Sequence, residues 1–255
     1  MERLAGGDFE GRGVVRGVRP GPLRGAHGPP PGLGRRAQGA VGSRRNRPYN
    51  PVVGESKRVG VMGGTFDPIH HGHLVTAEAA LWAFRLDEVL FVPTGQPWMK
   101  ADREVTPAEH RYLMTVIATA SNPRFSVSRL EVDRRGPTFT VETLQELRRQ
   151  AEDDIELFFI TGADAMLEIF HWKDPEEVLS QAHFIAATRP GYDIARFEQE
   201  APSRHPNVSV LDVPALAISS TDIRRRVREG EPIRYLVPEG VETYIRKVGL
   251  YQDQG

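Results

Sequence analysis

The sequence predicts an α/β fold: a doubly wound parallel sheet with helices on both faces and a small helical part toward the C-terminal end. Three observations predict it. Short apolar runs recur at 59–62, 88–92, 155–160 and 184–187, too continuous for strands with one wet face. Helical patterns lie between them, so the passage from strand to strand is a crossover and the strands run parallel. Glycine, proline or hydroxyl residues close each run, as in Gly63-Gly64, Pro93-Thr94-Gly95, Thr161-Gly162 and Thr188-Arg189-Pro190-Gly191. Such closures put loops at the carboxyl edge of the sheet, where α/β folds bind ligands.

Residues 1–56 stand apart from this alternation. Twelve of the protein's 25 glycines and ten arginines fall in the first 50 positions, with no lysine and only Glu2, Asp8 and Glu10 as acids. That segment carries +7, which leaves −8 for the remainder of a chain whose total is −1. Too little apolar surface is present to offset ordering entropy, so a disordered Gly/Pro/Arg-rich extension is expected there. A nucleic-acid-binding arm is disfavoured: the arginines form no regular repeat, and Phe9 and Tyr49 are the only aromatics available for stacking. The folded domain is expected over residues 57–251.

Taken in order, the first element is a strand through Val59, Val61 and Met62, expected to end in a turn at Gly63-Gly64. A helix from His71 to Phe84 follows, with Leu74, Ala77, Leu81 and Phe84 on one face. Glu88–Val92 is the second strand, and the loop Thr94–Lys100 leaves its end. Thr106-Pro107-Ala108-Glu109 signals a helix start with Thr106 as cap, and Tyr112, Leu113, Val116 and Ile117 are expected to face inward. Phe125–Val132 alternates and predicts one or two short strands. Thr140 opens a helix to Gln150, and Ile155–Ile160, the most apolar run, is expected at the sheet centre. Short helices follow from Ala163 and Pro175, strands at 184–187 and 208–213, a capped helix at Ser219-Ser220-Thr221, and a last helix at 238–248.

Several chemistries are excluded. With no cysteine there is no thiolate nucleophile, disulfide or zinc–thiolate site. No serine sits in a G-x-S-x-G elbow, and no carboxylates are spaced to hold metals as polymerases do. No apolar run reaches the length of a membrane span, and the N-terminus lacks the apolar centre of a signal peptide, so a cytoplasmic location is expected. What remains is the segment Gly63-Gly64-Thr65-Phe66-Asp67-Pro68-Ile69-His70-His71-Gly72-His73-Leu74. His70 and His73 are spaced i, i+3 at a helix start, where free N–H groups and the positive dipole end favour phosphate. Gly72 is expected to leave room for a ligand. A second phosphate-compatible helix start, Ile218-Ser219-Ser220-Thr221-Asp222-Ile223-Arg224, suggests a ligand with several phosphates. Lys100 and Arg224 join the histidines as donors to charge developing on a phosphate leaving group, a catalysis of position and charge.

The twelve-residue segment resembles the signature of the nucleotidylyltransferase superfamily of H-x-G-H type, and within it bacterial nicotinate-nucleotide adenylyltransferases. The likeness runs over roughly residues 58–251, with separated motifs in the right order. It implies a Rossmann-like fold and transfer of the adenylyl group of ATP to nicotinate mononucleotide, giving nicotinate adenine dinucleotide and pyrophosphate in NAD biosynthesis. No covalent enzyme intermediate is implied, and Mg²⁺ is bound mainly through the ATP phosphates, with no metal ligand from the protein. His70, His73 and Arg224 are then catalytic. ATP is expected against Gly63, Gly64, Thr65, Phe66, His70, His73, Gly162, Asp164, Ile218, Ser219, Ser220, Thr221 and Arg224. Nicotinate mononucleotide is expected against Lys100, Thr140, Val141, Trp172 and Lys173, with the indole of Trp172 stacked on the pyridine ring and the backbone N–H of Lys173 on its carboxylate. The loop Gln96-Pro97-Trp98-Met99-Lys100 departs from the commoner Pro-Pro-His-Lys type, which weakens the assignment of Lys100. Arg189 is divided between a phosphate contact and a strand cap. A pantetheine-phosphate adenylyltransferase shares the H-x-G-H helix but gives no reason for Thr-Phe-Thr-Val or His-Trp-Lys. Aminoacyl-tRNA synthetases need a Lys-rich loop that is absent. The expected partners are the two substrates alone; a membrane is excluded, nucleic acid is disfavoured, and a homo-oligomer is left open.

Overall fold

A computed structural model describes residues 56–97, 105–151, 154–188, 205–214 and 216–252. The expectations for the extension up to residue 55, for Lys100 and for Arg189 lie outside the described residues. Six parallel strands form one sheet in the order β4-β2-β1-β6-β7-β8. They are β1 (Lys57–Gly64), β2 (Glu88–Pro93), β4 (Phe125–Val127), β6 (Ile155–Gly162), β7 (His183–Thr188) and β8 (Val208–Asp212). The chain steps outward from β1 to β2 and β4, then returns to β6 beside β1 and steps the other way. Strand order therefore reverses between β1 and β6, the crevice where folds of this Rossmann-like order bind ligands. Val61 pairs with Phe159 and Met62 with Ile160 across that central ladder, so the expectation of a central 155–160 strand holds.

Helices cover both faces. On one lie α1 (His71–Ala83), α2 (Ala108–Thr119), α6 (Ser220–Arg228) and α7 (Glu239–Val248). They pack Ala77, Leu81, Met114, Ile223, Val241 and Ile245 with Met62, Phe91, Phe158, Ile160 and Ile185. On the other lie α3 (Thr140–Gln150), α4 (Ala163–Leu167) and α5 (Pro175–Gln181), which pack Leu144, Met166 and Val178 with Val61, Leu157, Phe159 and Phe184. Alternate residues of β6 feed the two cores, as strand period demands. The two C-terminal helices form the expected helical part and complete the core that α1 and α2 begin.

Three local expectations are corrected. Gly63 and Gly64 finish β1 inside the sheet rather than forming a turn; the turn follows at Thr65–Pro68, where Phe66 has φ 49°. A side chain in the left-handed region costs about 1–2 kcal/mol. Full burial of the Phe66 ring, 2 % exposed, offsets this with roughly 1.5–3 kcal/mol. Helix α2 is capped by Pro107, whose ψ of 140° is not helical, and not by Thr106, whose N–H donates to Asp67 Oδ2 at 3.3 Å. Its buried residues are Arg111, Met114, Thr115, Ala118 and Thr119; of the four expected to face inward, Ile117 packs against the core and Leu113 is 41 % exposed. The expectation of one or two short strands in 125–132 is met by one, Phe125–Val127, while a two-stranded pairing of β3 (Gln96–Pro97) with β5 (Pro137–Thr138) had no sequence signal.

Candidate active site

The H-x-G-H turn is built from β1 outward. Leaving the sheet, the chain turns at Phe66 and enters α1 with His70 as its N-terminal cap. The two imidazoles stack, ring centres 3.8 Å apart and planes 26° from parallel. The His70 backbone N–H donates to His73 Nδ1 at 3.2 Å. With Nδ1 accepting, the ring proton of neutral His73 resides on Nε2. Phe66 meets His73 edge-on at 5.1 Å, holding the ring from the other side. Beside the expectation that Gly72 leaves room for a ligand stands a nearer cause. A Cβ at 72 would come within 2.9 Å of His70 Nδ1 and 3.0 Å of its Cε1. Gly72 makes room for the His70 ring.

The second motif is docked directly on this turn. Ser219 caps α6, its hydroxyl accepting from the Asp222 N–H at 3.1 Å. Ser220 Oγ donates to the Pro68 carbonyl at 2.9 Å, and Arg224 Nη1 donates to the Asp67 carbonyl at 2.7 Å. Arg224 Nη2 lies 3.4 Å from Thr221 Oγ1. Ile218 packs against the α1–α2 core. Segments about 150 residues apart in sequence thus form one unit at the start of α1. Asp67 fastens the turn further: Tyr251 donates its hydroxyl to Oδ1 at 2.8 Å. Burial, with the Asp67 carboxylate beside it, pushes the Tyr251 phenol well above its usual range.

Beside the turn, at the carboxyl ends of β1, β2 and β6, lies a cavity of about 230 Å³. Gly63, Gly64 and Thr65 line it on the H-x-G-H side; Thr140, Trp172 and Lys173 line it on the other. Trp172 sets its ring edge-on to Phe159 at 6.0 Å. Its Nε1–H is buried with no hydrogen-bond acceptor among the described residues. Lys173 Nζ pairs with Glu142 Oε1 at 2.7 Å and stands 4.7 Å above the Phe139 ring; the Glu142 bond raises its pKa. Val141 turns its side chain into the core at 3 % exposure, so only its backbone N–H, in the first turn of α3, can serve the site. Gly162 caps the short helix α4 and Asp164 is exposed within it, outside the cavity lining. Phe66 acts from beneath: its ring occupies the space over Gly64, where a Cβ would lie 2.7 Å from it.

Two residues of this neighbourhood carried no sequence signal. Glu131 lines the cavity, accepts from Thr143 Oγ1 at 2.7 Å, and has its pKa raised above 4.5 chiefly by burial. Arg111 lies behind the wall with its guanidinium on backbone carbonyls. Both sit in segments whose local pattern gives no reason to bury a charge. Among the described residues no three His, Asp or Glu side chains converge as a metal cage requires, and no helix is long and apolar enough to cross a membrane.

The chain matches the Cytidylyltransferase-like family over residues 61–226. It is 57 % identical over 205 residues to a protein of Acidothermus cellulolyticus named "Probable nicotinate-nucleotide adenylyltransferase", covering 79 % of this chain and 97 % of that one. A Moorella thermoacetica protein of the same name is 58 % identical over 206 residues, covering 79 % of this chain and 94 % of its own. Among solved structures, Plasmodium falciparum nicotinic acid mononucleotide adenylyltransferase complexed with NaAD superposes with a TM-score of 0.60 at 23 % identity, covering 76 % of this chain and 97 % of that one. That likeness speaks to the fold, whereas the identities above, over nearly the full length of both bacterial proteins, place this chain in the nicotinate-nucleotide adenylyltransferase family.

Proposed function

We propose that this chain transfers the adenylyl group of ATP to nicotinate mononucleotide, forming nicotinate adenine dinucleotide and pyrophosphate in NAD biosynthesis, and that residues 57–251 suffice for it. One observation carries the reading beyond family membership. A cavity lined by Trp172 and Thr140 opens directly beside the turn that stacks His70 on His73. An acceptor held there has its phosphate next to the groups that would hold the triphosphate.

In the reaction a phosphate oxygen of the mononucleotide attacks the α-phosphorus of ATP. The bond from that phosphorus to the bridging oxygen of the β-phosphate breaks, and pyrophosphate leaves with the electron pair. Charge grows on the leaving oxygens, so donors aimed there lower the barrier. The Nε2–H of His73, the His70 ring and Arg224 are these donors, held in place by the His70 N–H, Gly72 and the Asp67 carbonyl. Ser220 locks the second motif onto the turn, and Ser219 and Thr221 present the α6 start. In the acceptor cavity, Trp172 offers its indole face and buried N–H, Thr140 and Val141 the first turn of α3, and Lys173 its backbone. The donor set fits a magnesium ion that arrives on the ATP phosphates, where it neutralises their charge; the described residues supply no cage of their own.

Pyrophosphate release from ATP and Mg²⁺, measured side by side with nicotinate mononucleotide, nicotinamide mononucleotide and phosphopantetheine, tests this. Strongest release with the nicotinate form is expected. Release with phosphopantetheine alone would overturn the acceptor reading and leave the H-x-G-H chemistry standing.

A further inference from the structure

Arg111 is 1 % exposed, and its guanidinium is met by carbonyl oxygens rather than held by one carboxylate. Nε donates to Thr106 O at 2.7 Å, Nη1 to Thr65 O at 2.8 Å and Nη2 to Gly95 O at 2.9 Å. These oxygens belong to three segments: the lead-in to α2, the turn after β1 and the loop after β2. Thr65 lines the cavity and directly precedes Phe66, whose ring holds His73. Gly95 is pressed so close to the chain at Glu131 that a Cβ would sit 2.1 Å from the Glu131 carbonyl oxygen. Its neighbours Thr94 and Pro97 line the cavity with Glu131.

Burying a cation is unfavourable, and an apolar side chain of similar volume would fill the same space without that cost. The guanidinium is accounted for by what it orders. A planar fork reaches divergent carbonyls at once; a lysine ammonium is a point charge and cannot hold the same geometry.

We propose that Arg111 is a positioning residue for adenylyl transfer, clamping the β1 turn and the β2 loop so that the ATP-phosphate and acceptor sides of the site keep one geometry. The proposal rests on the reading of the cavity given above. Displacement of either side by about 1 Å is enough to cost about 100-fold in rate.

The test uses the full chain with Arg111→Met, which keeps volume, and Arg111→Lys, which keeps charge. Two measurements are made: steady-state kinetics with ATP and nicotinate mononucleotide, and amide hydrogen exchange without substrate. Both variants are expected to lose about 100-fold in kcat, with smaller changes in either KM. Amides of 65–67, 69–73 and 94–96 are expected to exchange faster together, with β6 and β7 unchanged. Normal kcat in folded Arg111→Met, rescue by lysine, or faster exchange in one segment without the other would overturn the clamp. Should Arg111→Met fail to fold, Arg111→Lys decides. An inactive wild type would count against the substrate reading alone, because the exchange pattern tests the clamp without turnover.

Discussion

Gly72 shows how a single absent methyl group sets the position of the His70 ring. Position 72 is the second residue of α1, where alanine is favoured over glycine by about 0.8–1.0 kcal/mol. A Cβ there meets His70 at 2.9 Å, and His70 has little freedom to yield, being buried at 7 % and stacked on His73. The two effects separate in Gly72→Ala. Thermal stability is expected to hold or rise slightly, while kcat for adenylyl transfer falls about tenfold or more as the imidazole is pushed off its position. Unchanged turnover in this variant would remove the His70 ring position from the mechanism. The motif itself was legible because its residues are neighbours in sequence. What Gly72 serves was not, since the answer lies in where the His70 ring folds back.

At the scale of elements, α2 is the instructive case. Apolar counting favours Tyr112, Leu113, Val116 and Ile117 as the inward face; Ile117 does pack against the core, but the buried positions are Arg111, Met114, Thr115, Ala118 and Thr119. The helix is rotated because Arg111 finds carbonyls from two other segments, and Thr115 and Thr119 satisfy their hydroxyls on Arg111 O and Thr115 O within the helix. Denaturation of two variants reports the register. Met114→Ala is expected to cost about 2–5 kcal/mol, as for a fully buried side chain. Leu113→Ala, at 41 % exposure, is expected to cost under about 1 kcal/mol. The reverse order would restore the face read from the sequence. By contrast α3 matches its expected span, a helix starting at or near Thr140 and running to about Gln150, and it occupies Thr140–Gln150.

For the molecule as a whole, the sheet at 57–212 and the helices after it close on one another through contacts across the chain: Ser220 and Arg224 on the turn after β1, and Tyr251 on Asp67. A chain beginning at Lys57 retains each of these. Deletion of residues 1–56 is therefore expected to leave adenylyl transfer at the full-length rate, assayed by pyrophosphate release. A deletion that folds but loses turnover would assign the extension a part in catalysis. By itself the sequence determined the α/β class, the order and type of the main strands and helices, and the two helix starts at His70 and Ser219, because each rests on periodicity or spacing within about 15 residues. Only the tertiary structure decided that the two motifs are bolted together, that Gly72 serves His70, and that Arg111 and Glu131 are buried beside the cavity. A buried charge is tolerable only where distant backbone supplies its hydrogen bonds, and the location of that backbone is a property of the fold.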